Sequence, residues 1–131
     1  MAKSFGEIKV DESDLAGLAT AAWRLEKWLD SIEVERKMAA KSSLRAIRKY
    51  LDSINVTIAD PLGSKFDPGL AIDVVGNEDD SAPEEELYIV DTLAPYVYLD
   101  GLLVQYARVI LGTLPEETAN KQVHNNDDTQ N

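Results

Sequence analysis

The sequence has no cysteine and a single histidine, His124, among its 131 residues. The lack of cysteine excludes disulfides, thiolate metal sites and cysteine nucleophiles. His124 lies in a polar C-terminal stretch away from any suitable partner, so a catalytic triad is not expected. The pattern indicates neither a pair of catalytic carboxylates nor a phosphate-binding glycine loop. The sequence therefore predicts a binding protein that is not an enzyme and uses no cofactor and no metal.

Long hydrophobic runs and clustered basic residues are missing as well. No window approaches the roughly 20 apolar residues of a membrane span, and the first residues lack an apolar signal stretch. We therefore expect a cytoplasmic protein without membrane contact. The formal net charge of −11 argues against nucleic-acid binding, which requires clustered lysine and arginine. The acidic stretch Glu78–Glu86 lacks the ligand spacing of a calcium loop and is predicted to be a solvated loop.

Two amphipathic patterns fill the first half of the chain. Asp11 to Asp14 supply the acceptors and negative charge that favour a helix start. The first apolar stripe consists of Leu15, Leu18, Ala22, Leu25, Leu29 and Ile32, and the second of Val34, Met38, Leu44, Ile47, Leu51 and Ile54. Asp30 and Glu33 have the spacing of a capping box between them. A helical hairpin and one long helix are both consistent with the pattern, and short connections favour the hairpin.

Turn residues and short apolar runs follow Ile54. Strands are predicted at residues 71–75, 87–90, 95–99 and 102–111, the last of them as a central strand. The predicted fold class is α+β, with an N-terminal helical hairpin or long helix followed by a small β domain. The predicted organisation is an N-terminal arm at 1–13, a helical region at 14–55, a β domain at 56–113 and a disordered polar tail at 114–131.

The segment after the helices carries a recognisable motif. Val56 and Ile58 form a V-x-I element, and Pro61 to Pro68 spell P-x-G-x-x-F-D-P. This order resembles the GrpE family, the nucleotide-exchange factors of DnaK-type chaperones. The resemblance covers roughly residues 18–111. It includes a helix at 18–29 similar to the family's L-L-P-V-x-D-x-L-x-R-A-L and closing strands at 96–111 that keep Leu99-Asp100-Gly101.

The sequence also departs from the family pattern. Asn55 stands where the family's G-V-x-x-I element has glycine, and Leu102 and Gln105 replace two arginines of the closing strands. The His-x-Ala-Val that follows F-D-P in the family becomes Ala71-Ile72-Asp73-Val74. The long N-terminal helix that builds the family's dimer is not expected, because about a dozen residues precede Leu15. Either the shorter helices pair in a homodimeric bundle or the protein is a monomer.

The resemblance implies a function and a set of contact residues. It implies a co-chaperone that binds the ATPase domain of a DnaK-type chaperone and promotes ADP release by stabilising the open nucleotide cleft. The alternative is a GrpE-fold adaptor that binds a chaperone-like or other protein partner without nucleotide exchange. Phe66 and Leu111 are among the contact positions that the resemblance implies, and for both a position in the hydrophobic core is an equal alternative. The matched positions imply partner contacts by Lys27, Asp30, Phe66, Pro68, Leu93 and Leu111.

Overall fold

A computed structural model of the chain describes residues 9–114 and has two helices followed by six short strands. The α+β fold class with a helical N-terminal part is therefore confirmed. Most of the predicted arm and the predicted tail from residue 115 onward lie outside the described residues. The elements are α1 Glu12–Ser31, α2 Met38–Ser53, β1 Val56–Ala59, β2 Ile72–Asn77, β3 Tyr88–Ala94, β4 Tyr96–Leu99, β5 Leu102–Gln105 and β6 Ala107–Gly112, with a short 3₁₀ turn at Glu84–Glu86 between β2 and β3.

The two helices form a hairpin, which is the alternative that short connections favour. Asp11 is the N-cap of α1, and its Oδ1 accepts a hydrogen bond from the Ser13 amide at 3.0 Å. The predicted capping box at Asp30 and Glu33 is wrong, because α2 begins only at Met38 and Lys37 provides no side-chain cap. Lys37 instead donates from Nζ to the Leu29 carbonyl at 2.6 Å, which satisfies a free carbonyl at the end of α1.

The buried face of α1 differs from the predicted stripe. Its buried residues are mostly small: Ala16, Ala19, Thr20, Ala22, Trp23 and Leu29. Leu18 and Leu25, which were predicted to be packed, are about half exposed. The second predicted stripe is buried or half-buried from Leu44 onward, whereas Met38 at the start of α2 and Val34 before it are exposed. Alanines allow the helix backbone to approach its neighbours closely, so they carry the core face here.

The chain divides by its internal contacts into two compact units, and the predicted β segment 56–113 is shared between them. The first unit contains residues 9–59 and 94–106 of the described chain, so it joins the two helices to β1, β4 and β5. These strands form an antiparallel sheet in the order β1-β4-β5. Its core is built by Ala16, Ala19, Ala22, Leu29, Leu44, Leu51, Val56 and Val97.

The second unit contains residues 60–93 and 107–114 of the described chain and holds the sheet β2-β6-β3. β2 and β6 are parallel, with Ile72 opposite Ala107 and Val74 opposite Val109. The single strand predicted for 102–111 is wrong in one respect, because Tyr106 interrupts it and its two halves belong to different sheets. The second half, β6, is the central strand of its sheet as expected. The buried residues of this unit are Pro61, Leu87, Ile89, Thr92, Ala107, Val109, Leu111 and Gly112.

Candidate functional site

The first half of the P-x-G-x-x-F-D-P motif forms a tight turn. Ser64 donates its amide to the Pro61 carbonyl at 3.0 Å, so Pro61 to Ser64 form a β-turn. Gly63 lies at the third position with a φ of 85°, the left-handed value that a type II turn demands there. Asp60 supports the turn, since its Oδ1 accepts from the Leu62 amide at 3.0 Å. The glycine of the motif is thus explained by backbone geometry.

The second half of the motif forms another turn, next to β3. Leu70 donates its amide to the Asp67 carbonyl at 3.0 Å, with Pro68 at the second position, where its fixed φ is favourable. Asp67 Oδ1 also accepts from the Gly69 amide at 2.9 Å. Between the two turns, residues 63–66 run beside β3: Lys65 bridges Tyr88, and the Phe66 amide donates to the Leu87 carbonyl at 2.9 Å. The motif therefore positions an extended segment on the edge of β3.

The four predicted contact residues of the second unit have different exposures. Pro68 is exposed in its turn, and Leu93 projects from β3 with 37% of its surface accessible. Phe66 is half-buried. Leu111 is 3% exposed on the central strand β6, so the core alternative holds for it and it is removed from the candidate surface. The candidate surface of this unit thus consists of Pro68 and Leu93, with Phe66 as partial support.

Lys27 and Asp30 both belong to the first unit, on α1. They are three residues apart and therefore neighbours on the helix surface. Lys27 Nζ lies 4.4 Å from the ring centroid of Trp23, a cation–π contact that fixes the ammonium group. Asp30 is exposed and lines a shallow groove between α1 and α2. Glu26 and Arg45 line the same groove, which places charges of both signs around the pair.

The first unit has a second apolar surface on α1, which includes two leucines that the sequence pattern assigns to the packed stripe. Leu18, Leu25 and Trp28 follow one another at helical spacing on α1, and 57% of the Trp28 surface is accessible. A groove lined mainly by apolar side chains lies beside them, between α1 and α2. The groove residues are Leu25, Trp28, Leu29, Ala40, Ser43, Leu44 and Ile47. We call Leu18, Leu25 and Trp28 with this groove the hairpin face. The sequence of α1 could have indicated the hairpin face, because this helix has two apolar stripes and one of them is sufficient to contact the sheet.

The negative charge is concentrated in the second unit. Its described residues, 60–93 and 107–114, include ten acidic side chains and two basic ones, Lys65 and Arg108, for a formal net charge of −8. Arg108 is already engaged, because its Nε lies 3.4 Å from Asp73 Oδ2. Residues 9–59 and 94–106 have nearly balanced charge. The second unit is therefore suited electrostatically to a basic partner.

Within residues 9–114 no group of three or more His, Cys, Asp or Glu is arranged to hold a metal ion. No helix of that part is long and apolar enough to cross a bilayer. Burial raises the pKa of the Tyr96 hydroxyl, and the neighbouring Tyr98 raises it further. Tyr96 therefore stays protonated at neutral pH.

The sequence matches no protein-family model and no curated protein. The resemblance to the GrpE family consequently depends on the motif residues alone.

Proposed function

We propose that this protein is a GrpE-like co-chaperone that binds the ATPase domain of a DnaK-type chaperone and promotes ADP release. One observation carries the proposal: at the positions of the resemblance, the backbone has the conformation that the residue types there favour. Asn55 follows α2 in the left-handed region with a φ of 61°, where glycine or asparagine is favoured. Glycine and asparagine both tolerate this conformation, so Asn55 is compatible with a position where the family has glycine.

The closing strands give a second argument of the same kind. Asp100 and Gly101 connect β4 to β5 with φ values of 52° and 81°. Two successive left-handed residues make the tight turn that suits a two-residue hairpin, and Asp-Gly is a favoured pair for it. Together with the turns at Gly63 and Pro68, three separate segments of the resemblance have a geometric reason for their sequence. This agreement supports a GrpE-like backbone.

The proposed mechanism needs a binding surface and no catalytic group. A partner that binds the open nucleotide cleft more tightly than the closed one shifts the chaperone toward the open state, and it weakens ADP binding by the same factor. Pro68 and Leu93 supply exposed apolar contacts on the second unit. The surplus of carboxylates on that unit would accelerate association with a basic lobe, an effect that salt weakens.

The test measures release of a fluorescent ADP analogue from DnaK-type ATPase domains with and without this protein. We expect acceleration of at least about tenfold, which corresponds to about 1.4 kcal/mol. The double variant Pro68→Ser/Leu93→Thr should lose most of this acceleration, because apolar anchors dominate such interfaces. Both side chains are exposed and the turn tolerates serine, so the fold should be unaffected.

Leu102→Ser is the matched control, since it also removes an exposed leucine but from the first unit. It should leave the acceleration unchanged. Full activity of the double variant would refute the assignment of Pro68 and Leu93. Binding without any acceleration would favour the adaptor function instead, and absence of binding to every ATPase domain would refute both.

We propose further that the protein forms a homodimer through the hairpin face. A helix that is apolar on two sides is normally covered on both. One side of α1 is buried within the first unit, whereas the side with Leu18, Leu25 and Trp28 is exposed. Pairing of two hairpins would bury this side in a four-helix arrangement without the long helix of the family. The near-neutral charge of this unit also permits two copies to approach.

A further inference from the structure

Among the described residues, the outer edge of the strand β2 has no strand partner. The second sheet has the order β2-β6-β3, so β2 and β3 are its outer strands. β3 is covered on its outer side by residues 63–66, through the bridge from Lys65 to Tyr88 and the hydrogen bonds around it. Within the described residues of the second unit, no strand pairs with the outer side of β2. Its main-chain groups on that side are therefore open to another chain.

The side chains of β2 do little to protect this edge. Natural edge strands are guarded by lysine or proline, and β2 contains neither. Val74 and Val75 are each 41% exposed, although strands with parallel partners are usually covered on both faces. The single charged residue, Asp73, is paired with Arg108. A bulge between Val74 and Gly76 bends the strand, which limits pairing to a short segment.

The charge of the unit selects the occupant. β2 leads directly into the stretch that contains Glu78, Asp79, Asp80, Glu84, Glu85 and Glu86. Pairing of β2 with the same strand of a second copy would bring two strongly acidic units together, which is unfavourable. A segment rich in lysine or arginine would instead be attracted. The edge therefore fits a basic partner better than a copy of itself.

We propose that β2 accepts, as an added strand, an extended segment of a partner protein in which β-branched residues alternate with lysine or arginine. Main-chain hydrogen bonds to the free edge provide the affinity, and alternate side chains provide the selectivity. Adjacent strand residues point to opposite faces, so the apolar side chains would continue the face of Val74 and the basic ones the face of Asp73. The inference does not depend on the chaperone partner.

The test uses a peptide of about eight residues in which lysine and valine alternate, a length that matches a typical strand. Titration followed by amide NMR should give binding with a dissociation constant below about 1 mM, and amides within 72–77 should gain protection from hydrogen exchange. A peptide of alternating glutamate and valine should bind at least about tenfold more weakly. The lysine peptide with alternate amides N-methylated should also lose binding, because it cannot pair with the strand.

Variants of the protein locate the site. Val74→Lys and Val75→Lys place a like charge on the edge and should weaken binding of the lysine peptide at least about tenfold. Leu102→Lys is the matched control, because it adds the same charge at an exposed position of another outer strand, β5, in the first unit. The affinity of this control variant for the lysine peptide should stay within about twofold of that of the unmodified protein.

Four results obtained with the unmodified protein would overturn the proposal. Equal binding of the N-methylated peptide, or binding without protection of β2 amides, would mean adsorption to the acidic stretch alone. No binding of the lysine peptide up to about 1 mM would also refute it. Protection of β2 that rises with protein concentration in the absence of peptide would show self-pairing, which contradicts the charge argument.

Discussion

Replacement of Trp28 by serine should dissociate the proposed homodimer. A tryptophan side chain offers up to about 250 Å² of surface, and 57% of Trp28 is accessible in the monomer. Burial of about 140 Å² at about 25 cal/mol per Å² would contribute about 3.5 kcal/mol from each subunit. Association entropy and side-chain ordering offset part of this gain. Even if half of it is lost, the two symmetric copies together change the dimer dissociation constant by more than about hundredfold.

Sedimentation velocity across the micromolar range measures the effect directly. The unmodified protein should sediment as a dimer and Trp28→Ser as a monomer, with unchanged far-UV circular dichroism because Trp28 is exposed on α1. Trp23 is buried beneath Lys27 and reports by fluorescence that the core of the first unit is intact. Leu102→Ser, which removes an exposed residue outside the hairpin face, should remain dimeric. A monomeric parent protein, or a dimer that is insensitive to Trp28→Ser, would refute the assignment of this face.

Three further predictions concern stability, each measured by denaturant unfolding. Asn55→Ala should destabilise the protein by about 1–2 kcal/mol, because the φ of 61° disfavours a Cβ, whereas Asn55→Gly should be neutral or slightly stabilising. Gly112→Ala should destabilise by about 1–3 kcal/mol, since its Cβ would lie 3.1 and 3.2 Å from the methyl carbons of Val90. Its control, Gly17→Ala, faces open space within α1 and should stabilise by about 0.5–1 kcal/mol. Thr92→Val should stabilise by about 1 kcal/mol, because the buried Thr92 hydroxyl has no hydrogen-bond partner among the described residues; a loss of stability would show a hidden partner.

Local chemistry made part of the fold predictable. Asp11 determines the start of α1 through a hydrogen bond from the amide two residues away, so a four-residue window of sequence is enough to predict this start. The parallel pairing of β2 with β6 joins residues more than thirty positions apart, and no local pattern encodes it. The apolar run from Leu102 to Leu111 looks continuous for the same reason, since hydrophobicity does not say which partner strand each half will find.

The exposed face of α1 was mispredicted for a physical reason. Large apolar residues are ordinarily buried, so Leu18 and Leu25 were assigned to the core. Helices that pack closely on a sheet can instead use small side chains, as Ala16 and Ala19 do here. The leucines are then left for a second surface. Leu111 illustrates the converse, because position in a motif does not reveal burial and its side chain proves to be part of the core.

The P-x-G-x-x-F-D-P motif indicates a fold and does not by itself indicate an activity. This difference determines which residues should be substituted to test the proposal. Gly63, Asp67 and Pro68 each have a backbone role in a turn, so their presence is expected in any protein with this corner, whether or not it exchanges nucleotide. Substitution of Gly63 or Asp67 would impair an exchange factor and an adaptor alike, whereas the turn at Pro68 tolerates serine. Leu93 differs, because its exposed side chain has no comparable task in a turn. A loss of exchange on replacement of Leu93 with the fold intact therefore tests activity, which the motif by itself does not.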